Sequence, residues 1–191
     1  MFPPGAVGLP GGFFLERTMV VTSYLDTLLL LLVTAAAIND LASRRIPNRL
    51  LLCGLAAALV LHAISPDPGR ALLTCLGGFF TGLLMFLPFY LVRGMAAGDV
   101  KMMATIGAFT GPAVALQIGI VAWCAGGVMA IAVIVFRGRL RLALNNLWQM
   151  LRALLLRLPL ASTAGQTSAG SIPYGVAIAA GTIYVLVGRY A

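Results

Sequence analysis

Long apolar runs separated by short polar clusters dominate this chain, and the lengths of the runs predict membrane-crossing helices. Residues 20–39 read VVTSYLDTLLLLLVTAAAIN, close to the roughly 20 residues that cross about 30 Å of hydrocarbon at 1.5 Å per residue. A second, shorter run covers 50–64, and the turn SPDPG leads to a third over 71–92. Gly77, Gly78 and Gly82 in that third run would let another helix approach closely. The stretch from Val100 to Phe136 would be about 55 Å long as one helix, too long for one crossing. The Gly111–Pro112 pair is the natural break, giving spans over 101–110 and 113–136. A last span is expected over 172–187, after the polar linker STAGQTSAGS.

Between the fifth and last spans the period changes. Leu140, Leu144, Leu147, Leu151, Leu154 and Leu158 alternate in steps of four and three, with Arg141, Asn145, Gln149 and Arg152 on another face. That is an amphipathic helix over 139–158 lying in the membrane interface. Residues 1–18 are rich in Pro and Gly and lack the basic start of a secretory signal, so they are expected to be an irregular arm before a single domain over 19–191. The predicted fold class is all-α and polytopic, with six spans and one interfacial helix.

Composition agrees with this reading: 61% of residues are hydrophobic and 9% charged, too little polar surface for a water-facing globule. Lys and Arg number 13 against five acids, for a net charge of +8. In so apolar a chain, such charge marks cytoplasmic loops rather than a nucleic-acid surface. Arg44, Arg45, Arg49, Arg93, Lys101, Arg137, Arg139, Arg141, Arg152 and Arg157 fall on one side of the predicted topology, leaving Arg17, Arg70 and Arg189 on the other. The odd-numbered connections are then cytoplasmic and both termini lie on the opposite side.

The cysteines Cys53, Cys75 and Cys124 are scattered in apolar runs and read as small buried residues, while His62 reads as an interfacial loop residue. No cluster of ligands has metal spacing, and no cofactor is expected. Asp26 sits near the start of the first span and reads as interfacial. Asp40 and Asp99 differ, because the topology brings both to the same depth at the cytoplasmic ends of different helices, where no other acid lies. Ionisable groups at the hydrocarbon edge are expensive and mark functional sites.

The surroundings of these aspartates are NDLASRRIPNRL and RGMAAGDVKMMATIG. They resemble the type IV prepilin peptidases, membrane aspartic proteases of the GxGD class. That family pairs an Asp shortly before an R-x-I-P-N segment with a second Asp in G-x-G-D-V-K. The positions matching it are Asp40, Arg44 or Arg45, Ile46, Pro47 and Asn48, then Gly98, Asp99, Val100 and Lys101. The segment SIPYGVAIAAG also looks like the last helix of the short branch that processes Flp-type, or tight-adherence, pilins.

The resemblance implies an endopeptidase of the bacterial inner membrane, with Asp40 and Asp99 as catalytic dyad and no metal. Its substrate would be a prepilin, a basic leader followed by a hydrophobic helix held among the lipids. Pro173, Tyr174 and Gly175 are the candidates for substrate binding. One departure is Ala96, which stands where the first glycine of GxGD is expected, although Gly94 and Gly98 keep flexible backbone nearby. Another is the absence of the cysteine-bearing zinc insert that longer members carry with a methyltransferase activity. Two other readings compete with the peptidase, a small ion- or proton-coupled transporter and an inactive scaffold of pilus assembly.

Overall fold

The computed structural model describes the backbone of residues 10–92, 94–136 and 174–190, with residues 138, 145, 148 and 152, and the side chains from Val20 onward. Among the described residues every regular element is helical: α1 (Pro10–Ser43), α2 (Asn48–Ala63), α3 (Pro68–Leu91), α4 (Ala97–Thr110), α5 (Pro112–Phe136) and α6 (Tyr174–Val187). The protein is an all-α membrane protein. Three helices contain stretches long and apolar enough to cross a bilayer, Val20–Ser43, Pro68–Leu91 and Pro112–Phe136, and two shorter apolar helices, Asn48–Ala63 and Tyr174–Val187, accompany them.

The breaks follow local chemistry. Asp67 caps α3 by accepting from the Arg70 amide at 3.2 Å, and Pro68 follows where the missing N–H carries no penalty. Gly111 turns the chain between α4 and α5 at φ 77°, a conformation only glycine adopts without strain. The break expected at Gly111–Pro112 is therefore where the helices part. One boundary is corrected: residues 10–18 belong to α1 rather than to an irregular arm, because Pro10 can open a helix that then propagates cooperatively. The expected interfacial helix over 139–158 lies largely outside the described residues. Within it, the Arg152 guanidinium stacks over the Trp148 ring at 5.2 Å.

The bundle is inside out relative to a water-soluble protein. Large apolar side chains such as Leu31, Ile38, Leu52, Leu73, Leu84, Val128 and Ile131 face outward, while Asp26, Asp40, His62, Asp99, Thr105 and Thr182 are buried. In lipid that arrangement leaves the apolar surface to the hydrocarbon and pairs polar groups within the protein. Thr105 and Thr182, for example, donate back to the carbonyls of Lys101 and Ile178 at 2.9 and 2.8 Å.

Helix α4 is the hub and packs against each of the five other helices among the described residues. It has 14 residues, so it is about 21 Å long and ends short of a full hydrocarbon crossing. Residues Val100 and Met102–Phe109 are all buried. Its crossing with α3 is very close, since a Cβ on Gly78 would overlap the Gly107 carbonyl and one on Gly82 would overlap the Met103 carbonyl. Of the glycines expected to allow close contact in the third span, Gly78 and Gly82 meet the backbone of α4, whereas Gly77 faces the Pro112 ring at the start of α5.

Three expectations change with these surroundings. Asp26, expected near the membrane interface, is buried within the protein: Tyr190 Oη donates to its Oδ2 at 2.5 Å and Arg189 lies 3.7 Å from its Oδ1. That contact joins the middle of α1 to the segment after α6. His62 lies inside α2, buried, with Nδ1 2.8 Å from the Ala58 carbonyl. Of the cysteines only Cys75 is buried, and Cys53 and Cys124 face out of the bundle. Thiols are apolar enough that lipid is as acceptable to them as the core.

Candidate active site

Asp40 is buried because it continues the inward stripe of α1. Leu25, Leu29, Val33 and Ala36 are buried at steps of four and three, and Asp40, 7% exposed, is the next position on that face. Asp99 occupies the same place on α4, one turn before the buried Met102, Met103 and Ile106, and is 6% exposed. Each carboxylate thus replaces an apolar core residue at one end of its helix.

Local backbone geometry sets both positions. Helix α1 stops when Arg44 enters the left-handed region at φ 52°, its amide donating to the Asp40 carbonyl at 2.8 Å. This is the bond of a left-handed C-terminal cap, made here without glycine, so the backbone holds about 1 kcal/mol of strain next to the site. Pro47 then opens α2 from an extended conformation. The short connection bridges to α4, with Ile46 against Gly98 and Asn48 Oδ1 accepting from Lys101 Nζ at 3.2 Å. The RRIPN segment therefore ties the helix that carries Asp40 to the one that carries Asp99.

Ala96 is the N-cap of α4 at φ −77°, ψ 148°, with Asp99 at the third helical position. An acid there suits the positive end of the helix, and the Ala96 amide lies within reach of the Asp99 carboxylate, as in half of a capping box. Neither Gly94 nor Gly98 has positive φ. The alanine in place of the first glycine is thus in ordinary extended backbone, and the expected need for flexible backbone is not met in this loop. Gly94 instead closes the end of α3, its amide donating to Phe89 O at 2.8 Å.

The two aspartates lie within electrostatic reach of each other, and the Asp40 charge acts on Asp99. The start of α6 completes the site from the opposite side. The Gly175 amide donates to Asp40 Oδ2 at 2.8 Å, and the Val176 amide also interacts with that carboxylate. Tyr174 Oη donates to the Ala122 carbonyl at 3.3 Å, and its ring stands edge-on to Phe86, with centroids 6.2 Å apart. Phe86 and Phe89 in turn pack on Trp123, whose Nε1 is a buried donor without a partner among the described residues.

The structure thus gathers Asp40, Asp99, Asn48, Gly98, Lys101, Tyr174 and Gly175 at one end of the bundle. Arg44, Arg45 and Pro47 are exposed on the connection beside them, and Pro173 lies outside the described residues. The aromatic wall of Phe86, Phe89 and Trp123 and the Gly126 seat beneath the Tyr174 ring were not anticipated from sequence. Aromatic residues and a Gly–Gly pair inside apolar runs look like any other packing. No group of His, Cys, Asp or Glu able to hold a metal occurs among the described residues.

Comparison with protein families gives a match to the type IV leader peptidase family over residues 27–131, a region that contains both aspartates. Comparison with curated proteins and with solved structures gives no match.

Proposed function

The chain belongs to the type IV leader peptidase family, and we propose that it removes prepilin leaders with Asp40 and Asp99 as a catalytic pair. The observation that carries this reading is the pair itself: two buried carboxylates, 59 positions apart in sequence, on different helices at one end of the bundle and within reach of each other's charge.

In this reading the two carboxylates meet across the attacking water, where they cannot both ionise comfortably, and the pair holds one proton. The ionised member takes a proton from water as the water oxygen bonds to the scissile carbonyl carbon. The protonated member donates to the carbonyl oxygen, giving a neutral tetrahedral diol. In the collapse the newly protonated Asp gives its proton to the departing nitrogen as the C–N bond breaks, the other carboxylate takes a proton from a diol hydroxyl as the carbonyl re-forms, and the pair is back in its starting protonation state.

The substrate is a basic leader joined to a hydrophobic helix, presented from the cytoplasmic side of the bacterial inner membrane with both enzyme termini on the other side. Because α4 is shorter than a crossing, an Asp in its first turn suits a peptide bond at the edge of the hydrocarbon. The segment SIPYGVAIAAG favours Flp-type pilins.

The test is co-expression with a tagged Flp-type prepilin and a gel-shift assay of leader removal for wild type, Asp40→Asn and Asp99→Asn. Wild type should process and both variants should not. Full processing by either variant would remove the dyad, and an inert wild type would favour the scaffold or transporter reading.

A further inference from the structure

We infer that Gly175 is a positioning residue, whose backbone amide and missing side chain together fix the carboxylate of Asp40 for proton transfer. This rests on the reading of Asp40 as catalytic. Asp40 sits at the end of a helix that has just unwound into Arg44, and a carboxylate there has a choice of rotamers. The Gly175 amide binds Oδ2 at 2.8 Å, and the Val176 amide supports it from the next position. Both belong to the first turn of α6, where amides have no partner within the helix and the helix dipole favours negative charge. Oδ2 is thereby committed to α6, and Oδ1 is left to take the proton from water.

Glycine is needed for this approach. A Cβ on residue 175 would lie 2.7 Å from Asp40 Oδ2, 3.1 Å from Cγ and 3.2 Å from Cβ, so any side chain pushes the carboxylate off the amide. The clamp is itself braced. Tyr174, one residue earlier, is held by its bond to the Ala122 carbonyl, by Phe86, and by Gly126, where a Cβ would overlap the tyrosine ring. A bond joining residues 135 apart in sequence thus rests on two successive glycine contacts, Gly126 under Tyr174 and Gly175 against Asp40. In this assignment Tyr174 and Gly175 act on the enzyme's own aspartate rather than on the substrate.

The experiment compares wild type, Gly175→Ala, Asp40→Asn and an ester-for-amide replacement at residue 175, introduced with glycolic acid by cell-free translation into lipid nanodiscs. Each is assayed for leader cleavage kinetics and melting temperature. The ester removes the N–H and adds no atom, and it breaks no helical hydrogen bond because that amide has none. Gly175→Ala should lower kcat about 100-fold, as expected for an ångström-scale misplacement of a reacting group. The ester should lower it about tenfold, and KM should stay within about threefold for both. A wild-type kcat in the ester protein would overturn the inference even if Gly175→Ala failed to fold, as would a loss expressed only in KM. Cleavage by Asp40→Asn would instead remove the reading on which the inference rests.

Discussion

The α3–α4 crossing makes a sharp prediction because it brings backbone against backbone. A Cβ on Gly78 would overlap the Gly107 carbonyl, and a Cβ on Gly107 would overlap the Gly78 carbonyl. Neither atom belongs to a flexible side chain, so Gly78→Ala or Gly107→Ala must force the helices apart. Overpacking of this kind costs about 1–3 kcal/mol, which lowers the melting temperature by roughly 2–12 °C in a protein of this size. Since α4 carries Asp99, separation of the helices also moves the carboxylate, and cleavage should fall by about 10- to 100-fold. The double variant should cost less than the sum of the singles, because the first alanine already makes room for the second. Gly127→Ala is the control, with nothing within 4 Å of its added Cβ, and should leave the melting temperature unchanged or raise it. Thermal unfolding in detergent and leader-removal rates in membranes check both parts. Melting of Gly78→Ala at or above that of Gly127→Ala would refute the reasoning, as would additive losses in the double variant.

Gly111→Ala places a side chain at φ 77° and 2.7 Å from Thr74 Cγ2, and should lower stability by about 1–3 kcal/mol in thermal unfolding. Ala96→Gly restores the family's glycine where the backbone is already extended at φ −77°; leader-removal assays should show rates within about twofold of wild type. Tyr190→Phe removes the bond to Asp26 and should cost about 1 kcal/mol or less in stability with no change in cleavage rate. Donation to Asp26 holds the Tyr190 phenol above its ordinary value of 10.0. The stability from that bond is therefore complete below pH 10.0 and is lost as pH rises through the raised value, a fall that Tyr190→Phe should not share.

The helices were legible because each depends on a local pattern. Apolar run length predicted α2 to within two residues at its start and one at its end, and the Gly111–Pro112 break fell where expected. Asp40 and Asp99 stood out from the expected topology together with their surroundings, RRIPN after the first and AAGDVK around the second. What stayed hidden depends on partners distant in sequence. The burial of Asp26 comes from Tyr190, 164 residues away, and nothing in YLDTLL announces it. The amide on Asp40 comes from Gly175, which sequence could suggest only as a residue near the substrate. His62 lay within the expected second run yet was read as a loop residue; its ring is on an inward face of α2, with Nδ1 against the Ala58 carbonyl. The start of α1 was missed because Gly and Pro weigh against helix locally, whereas Pro10 is suited to a first turn.

The claim that Asp40 and Asp99 work as one unit is tested most directly by single-turnover cleavage of a purified prepilin by Asp40→Asn, Asp99→Asn and the double variant in nanodiscs. Groups that act together lose their contribution together, so all three should fall to one common residual rate. Losses that multiply in the double variant, or a single variant that keeps a rate well above the other's, would contradict the account.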